Sequence, residues 1–520
     1  MINNWWVTRP KRKLTSVPED LAVVATAALN REWEGDRQLH LQVEEGLEAS
    51  GLKRTGDRRD QGGGGGRTYV AWLKSLGLLF TQSATNKLML TLAGEELLDG
   101  RNPTLILTNQ IFKYQFPSPF SISSNVCVNS RFRIRPFRFL FRLLLDDSVK
   151  YLTQDEIAKI VITEAENESE TCYKNIVRRI EEFRESGDAC LPRDFEERYP
   201  STRQGVKTTA AERLNDVANT FINWMEYTQY IVREGTSIKI NPEMTDYVLS
   251  YMSANPPFID RCEDEEYFQR KFGVDPWHSK DVRNLLLTPT VTASMIAKAK
   301  IRQAFLAYSA NHPVLEINSD VIQCVARGSG IAVTKVEDVL GELYPRGAFG
   351  SFLPAYNEMA FSGREQAAEF ELATVSLFST VFGFKSKHVG PVGKTPDVLL
   401  LSDDEGYQAI VDNKAYSSYS ISNDHANRMV TNYIQGLSRY SDSKYPLSFF
   451  MYIAGGFASS IDRGINEIRS RSGVDGSAIS VGKFSNLMQR HIERRYTHSE
   501  LREIFSVNRQ VEFRDFERKC

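Results

Sequence analysis

Two apolar runs near the end of the chain constrain its fold more than anything else in it. Thr395-Pro-Asp397-Val-Leu-Leu-Leu401 and Tyr407-Gln-Ala-Ile-Val-Asp412-Asn-Lys414-Ala-Tyr416 read as β-strands, and Ser402-Asp-Asp-Glu-Gly406 between them reads as a turn. Side chains alternate along a strand, so Asp412 and Lys414 share one face, and a hairpin brings Asp397 alongside them. Two carboxylates and one ammonium then meet at a single point.

Carboxylates so placed repel each other, and a hard divalent cation such as Mg²⁺ relieves the repulsion while keeping most of its water. The ion neutralises a phosphodiester and stabilises the leaving 3′ oxygen, while Lys414 orients or deprotonates the attacking water. Upstream, Phe370–Thr380 reads as a helix, and its Glu371 offers an outer metal contact. The bare spacing of such a pattern arises often by chance. Here Pro396-Asp397 is the only Pro-Asp in the chain, both acids lie on apolar strands, and an acid-bearing helix precedes them. The competing reading makes Asp412 and Lys414 a surface pair on an edge strand.

At 520 residues the chain predicts two to four domains. Its 64 basic and 66 acidic side chains give a net charge of −2, which excludes a uniformly basic histone-like protein. Residues 1–150 nevertheless hold 21 Lys and Arg against 15 Asp and Glu, so a polyanion meets this part first. Six scattered cysteines without a C-x-x-C pair make neither a disulfide framework nor a zinc site, and predict a reduced, cytoplasmic protein. No apolar run approaches the roughly 18 residues of a membrane helix. Arg9–Lys13 followed by Leu21–Leu29 imitates a signal peptide, but Glu19 and Asp20 interrupt it. Ser16-x-x-Glu19 there predicts a capping box and an ordinary first helix.

Near the N-terminus Gly62–Gly66 predicts a mobile loop flanked by Arg54, Arg58, Arg59 and Arg67. A helix follows around Arg67–Lys74, then strands on either side of Ser83–Asn86, then a helix from Ala93. That order is the tail of a winged helix, whose helix near Arg67 and Lys74 faces DNA. A second copy of the grammar is read at Leu214–Tyr227 with a hairpin over Tyr230–Ile240, and Thr153-Gln-Asp-Glu156 opens another helix with a capping box. Arg131, Arg133, Arg135, Arg138 and Arg142 interleave with phenylalanines, and the early alternation places arginines on one face toward phosphates. The bland alternative is an amphipathic element with solvated arginines. Lys207 completes the set of candidate DNA contacts. From about Asp281 to Tyr344 the pattern is helical, broken at Asn311-His-Pro313 and Gly328-Ser-Gly330.

The string Val381–His388, then Pro396-Asp397, then Ile410-Val-Asp-Asn-Lys-Ala-Tyr-Ser417, with Asp424–Met429 after it, resembles the FokI cleavage-domain family over residues 365–510. Leu90–Gly94 through Lys113–Pro117 resembles the AlwI family, which includes type IIS restriction enzymes and their nicking relatives. The resemblance implies a multidomain α+β protein. Residues 1–285 form a winged-helix recognition region, 286–350 a helical linker, and 351–520 an α/β PD-(D/E)xK nuclease domain with a mixed sheet flanked by helices. It implies a type IIS endonuclease that binds a short asymmetric double-stranded site and cuts outside it with Mg²⁺, leaving 5′-phosphate and 3′-hydroxyl. Asp397, Asp412, the backbone carbonyl of Asn413 and, with them, Glu371 hold the metal, and Lys414 acts on water. A cognate methyltransferase belongs to such a system, with no direct contact implied. The family's cleavage domains pair through an acid and an arginine on the helix after the site. Asn427 and Thr431 stand there instead, so transient homodimerisation, a partner subunit and cutting of one strand alone all stay open.

Gly390-Pro-Val-Gly-Lys-Thr395 ends like a phosphate-binding loop, but the required first glycine falls on His388, which excludes nucleotide hydrolysis by that motif. His425, His491 and His498 are too dispersed to form a metal cluster. From another class, a non-catalytic winged-helix DNA-binding regulator remains the alternative.

Overall fold

The computed structural model describes residues 1–56, 61–123, 126–199, 208–285, 291–390 and 394–517. The chain divides into two compact units, one of residues 1–308 with 317–345 and the other of 309–316 with 346–520.

The first unit begins with three helices, Val17–Ala28, Arg37–Ala49 and Gly64–Ser75. An antiparallel ribbon follows, β1 (Leu79–Thr81) with β2 (Leu88–Leu90), and then the helix Leu92–Leu98. The glycine tract is not the mobile loop its composition predicts. Gly63 caps the third helix at a φ of 77°, and Gly64–Gly66 form its first turn. A Cβ on Gly66 would stand 2.2 Å from the carbonyl of His40, and one on Gly65 2.4 Å from Glu44. The glycines let this helix lie against Arg37–Ala49 backbone to backbone. A second correction concerns Ser16, whose hydroxyl bonds to Asp20 instead of closing a capping box. The box at Thr153 and Glu156 does form.

Further along, β3 (Leu152–Thr153), β4 (Ile231–Glu234) and β5 (Ser237–Ile240) make a small antiparallel sheet in the order β3-β5-β4, after the helix Ala210–Tyr227. The helices Ala293–Ser309, Ser319–Ser329 and Val333–Leu343 match the expected breaks, with Gly330 closing one of them in the left-handed region at φ 67°.

The second unit is a five-stranded mixed sheet of β6 (Lys385–His388), β7 (Val398–Ser402), β8 (Tyr407–Lys414), β9 (Leu447–Ala454) and β10 (Asp475–Ser480), in the order β10-β9-β8-β7-β6. The predicted hairpin is β7–β8, antiparallel, whereas β8, β9 and β10 run parallel. Its central strands are buried on both faces. Val398, Leu400, Ala409 and Val411 pack with Phe370, Leu377 and Phe378 of the helix Ala367–Thr380 and with Phe484 and Leu487 of Val481–Glu493. Leu399 and Ile410 pack on the other face with Met429, Tyr433, Ile461 and Ile465. That two-sided burial makes β8 a central strand and overturns the edge-strand alternative.

Candidate active site

The pleat sorts the functional residues. Asp412 and Lys414 have the parity of Ile410, and Asp397 has that of Leu399, so all three lie on the sheet face covered by residues 423–434 and 461–472. Asn413 has the parity of Val411 and turns to the opposite face, where its amide donates to Thr374 Oγ1 at 2.7 Å. Its backbone stays in the site, with the N–H of Asn413 donating to Asp397 Oδ2 at 2.7 Å.

Lys414 Nζ lies 2.7 Å from Asp412 Oδ2 and donates to the carbonyl of Asn413 at 3.1 Å. The ammonium thus sits on two of the oxygen atoms that sequence reasoning assigns to a metal. Asp397 and Asp412 are buried, and Asp412 Oδ1 has no hydrogen-bond partner among the described residues. Burial first, and then the neighbouring charge of Asp412, hold the Asp397 carboxyl well above the ordinary range, with Glu371 adding to the push. Burial pulls the Lys414 ammonium down, but Asp412 and Asp397 outweigh it and raise it above the usual lysine range. A buried carboxylate oxygen without a donor, beside a second buried carboxylate and a carbonyl, is a donor set of hard oxygens that fits a hard divalent cation such as Mg²⁺.

Glu371 faces this cluster electrostatically and accepts a 2.8 Å hydrogen bond from His388 Nε2 on β6. His388 is therefore tied to the acid of the leading helix. The wall around the acids is aromatic, which sequence reasoning missed. Tyr452, paired in register with Asp412, is fully buried with an unpartnered hydroxyl among the described residues. Tyr419 lies with its ring 6.0 Å from Lys414 Nζ and its hydroxyl 2.8 Å from His425 Nδ1. Parity on a parallel neighbour would have placed Tyr452, but its pairing partner lies on a separate strand and no local signal names it.

Among the described residues, the candidate DNA contacts do not share one exposed face. Arg58, Arg59 and Lys207 lie outside the described residues. Arg67 is exposed and donates to the carbonyl of Gly62 at 2.8 Å. Arg133 is exposed, its guanidinium 5.1 Å from the Phe258 ring. Lys74 is buried against Glu265 at 2.8 Å and Thr81 Oγ1 at 2.6 Å, so it does not present its charge outward as expected. The single arginine face also needs correction. Arg135 is buried on Glu168 and the carbonyl of Pro256, and Arg131 is held by Glu166 and the carbonyls of Asn3 and Thr163. Each of these charges finds its partner within the fold.

The first unit also holds one trio of metal-ligating side chains, Glu96, Asp275 and His278. Asp275 is already committed, Oδ1 to the N–H groups of Trp277 and His278 and Oδ2 to His278 Nδ1 at 2.7 Å. Glu96 pairs with Arg101 at 3.2 Å. Asp275 and His278 close a turn on each other, and Glu96 reaches it already paired with Arg101. Among the described residues, no helix is long and apolar enough to cross a membrane.

Residues 330–512 match the family model of the FokI cleavage domain, and residues 74–272 that of the AlwI restriction endonuclease. Comparison with curated proteins gives no match. Among solved structures, restriction endonuclease FokI is similar at 14% identity, covering 98% of this chain and 100% of that one, with a TM-score of 0.29. FokI bound to DNA gives 14% identity, 99% and 100% coverage and 0.28. The BpuJ1 endonuclease binding domain, solved with pyrene- and phenanthrene-modified DNA, gives 15%, 52% and 96%, and 0.36. Over residues 74–272 and 330–512 the chain is built of restriction-endonuclease domains, and it is a site-specific deoxyribonuclease.

Proposed function

We propose that this chain is a type IIS restriction endonuclease that binds a short asymmetric duplex site and, with Mg²⁺, hydrolyses phosphodiester bonds at a fixed distance outside it. The observation that carries this reading is the convergence of Asp397, Asp412 and Lys414 at the C-terminal end of β8, with one carboxylate oxygen of Asp412 left without a donor. Asp397, Asp412 and the Asn413 carbonyl would hold the ion, and Glu371, steadied by His388, would stand outside them. Bound there, Mg²⁺ would neutralise the phosphodiester and the charge that builds on the leaving oxygen.

The chain's own residues supply the rest. Lys414 spans Asp412 and the Asn413 carbonyl, so its ammonium stands beside the oxygens that would hold the ion, where it would orient the attacking water or, as the neutral amine, take its proton. Water enters, the P–O3′ bond breaks, and the products are a 5′-phosphate and a 3′-hydroxyl.

We assign recognition to residues 1–285, with Gly64–Ser75 and the β1–β2 ribbon as helix and wing, a connector to 286–350, and cleavage to 351–520. Double-stranded DNA is the substrate, the enzyme is cytoplasmic, and a methyltransferase of the same specificity protects the host. Cutting of one strand, or with a partner subunit, is a second reading favoured by one observation. Asn427, where the family has its pairing acid, accepts a 2.7 Å hydrogen bond from Arg471 of the same chain. Run-off sequencing of plasmid cleaved with Mg²⁺ tests all of this at once. Fixed-offset cuts beside one asymmetric sequence are expected, on one or both strands, and intact plasmid would refute the assignment.

A further inference from the structure

Among the described residues, the second unit exposes four large apolar side chains: Phe361, Leu372, Tyr416 and Ile492. The Phe361 ring and the Tyr416 backbone come together at Gly455, one residue past the register partner of Lys414. Tyr416 follows Lys414 by two residues, and its N–H donates to the Lys414 carbonyl at 2.8 Å. Gly455 continues β9 just past Ala454, the register partner of Lys414. A Cβ on Gly455 would stand 2.7 Å from Cε1 of Phe361 and 2.8 Å from the carbonyl oxygen of Tyr416. The missing side chain is therefore the seat on which the Phe361 ring rests, against the backbone of Tyr416. The Tyr416 ring stacks at 6.1 Å on Tyr419, the same ring that faces Lys414 Nζ. Two half-exposed rings, 50% and 54% open, are thus fixed in place instead of being left to wander.

Fixing large apolar rings in water forfeits the burial that would otherwise favour them, so their place calls for an occupant. Their position names it. Both rings flank the C-terminal ends of parallel strands, where open sheets bind ligands. Any phosphodiester that reaches Lys414 brings its own flanking sugars to within a residue or two of Tyr416. Deoxyribose presents neutral C–H faces between the anionic phosphates, and a flat ring can pack on them without reading sequence.

We infer that Phe361 and Tyr416 form an aromatic shelf that takes the deoxyribose next to the scissile phosphate and so sets that phosphate's register over the acids. This rests on the endonuclease reading above. A shelf of this kind acts on positioning, so its loss lowers the rate of the bound complex more than the affinity.

The test has two arms on the full-length chain, with plasmid DNA whose cut positions have first been mapped for the wild type. In single-turnover cleavage with Mg²⁺, Phe361→Ala is expected to slow cutting about tenfold, with DNA affinity changed less than twofold. Phe361→Leu should recover part of the rate, and Ile492→Ala, also exposed but remote in sequence, should match the wild type. In the second arm p-benzoylphenylalanine replaces Phe361, and Ca²⁺ replaces Mg²⁺ so that the strand stays whole. Ultraviolet light should then cross-link position 361 to DNA within two nucleotides of the mapped cut. A cross-link to a second copy of the chain would make the shelf a self-association patch and overturn the inference. So would unchanged cutting by Phe361→Ala. A wild type that leaves every plasmid intact would refute the endonuclease reading instead, and the shelf would fall with it.

Discussion

The acids at Asp397 and Asp412 and the arginines at Arg131–Arg142 look alike in sequence, as charged residues spaced along apolar segments. In the structure they part company. Arg135 has Glu168, Arg142 has Glu170, and Arg138 is surrounded by the carbonyls of Tyr251, Met252 and Ala254. Arg133 stays exposed over the Phe258 ring, and the other charges of the row are answered by partners of the fold. Asp397 and Asp412 share one lysine between them, and an oxygen of Asp412 has no donor among the described residues. Charge that the fold compensates is architecture. Charge that it gathers, buries and leaves uncompensated marks a place made for another ion.

The largest effect that tests this contrast is on chemistry. Asp412→Ala should lower Mg²⁺-dependent cleavage by at least about 10²–10³-fold, while gel-shift affinity for cognate DNA stays unchanged. Cutting that survives the change would break the contrast from the catalytic side. The next effect is on stability. Arg135→Met takes from the half-buried Glu168 its partner, which should destabilise the protein by about 2 kcal/mol in a denaturant melt. Adding Glu168→Gln should restore part of that loss. If Arg135 served phosphate instead, the melt would hold and the salt dependence of DNA binding would fall by about one charge.

What the sequence discloses and what it hides follow the same division. The β7–β8 hairpin and its acids are legible because strand alternation and the Ser402–Gly406 turn are local. The arginine row is not, because Arg135 finds Glu168 33 residues away and Pro256 121 residues away. The glycine tract misleads for a kindred reason, since only the helix Arg37–Ala49 packed on it explains why side chains are excluded. Tyr452 is invisible until β9 is laid parallel to β8.

A smaller effect separates the metal from its ligands. The Asp397 carboxyl titrates above its unfolded value because it is buried beside Asp412, so the metal-free fold loses stability as pH climbs from about 3.9 toward the raised folded value. Asp397→Asn removes that penalty and should melt higher than the metal-free wild type at pH 8. Mg²⁺ at a hundredfold excess over its Kd should then stabilise the wild type by about 2.7 kcal/mol, with little change in the variant. Equal stabilisation of both would place the ion elsewhere.

Lys113 is the intermediate case, a half-buried cation answered by carbonyls with the charge of Asp275 nearby, and its effect near neutral pH is the smallest. Its amine donates to the carbonyls of Phe272 at 2.8 Å and Val274 at 2.6 Å, at the edge of a cleft of about 990 Å³. Burial pulls it down to about 7. The unfolded lysine keeps its proton to about 10.4, so between these values the unfolded chain binds more protons and stability rises with pH. Lys113→Met deletes this titration. Its stability relative to the wild type should be most favourable at pH 6 and should decline steadily toward pH 10 in parallel urea melts. The variant also strips donors from two carbonyls, which shifts the whole series by a constant, so the slope is the readout. A flat difference across that range would mean that Lys113 keeps its charge in the fold, and that two carbonyls with Asp275 nearby compensate its ammonium as fully as Glu168 compensates Arg135.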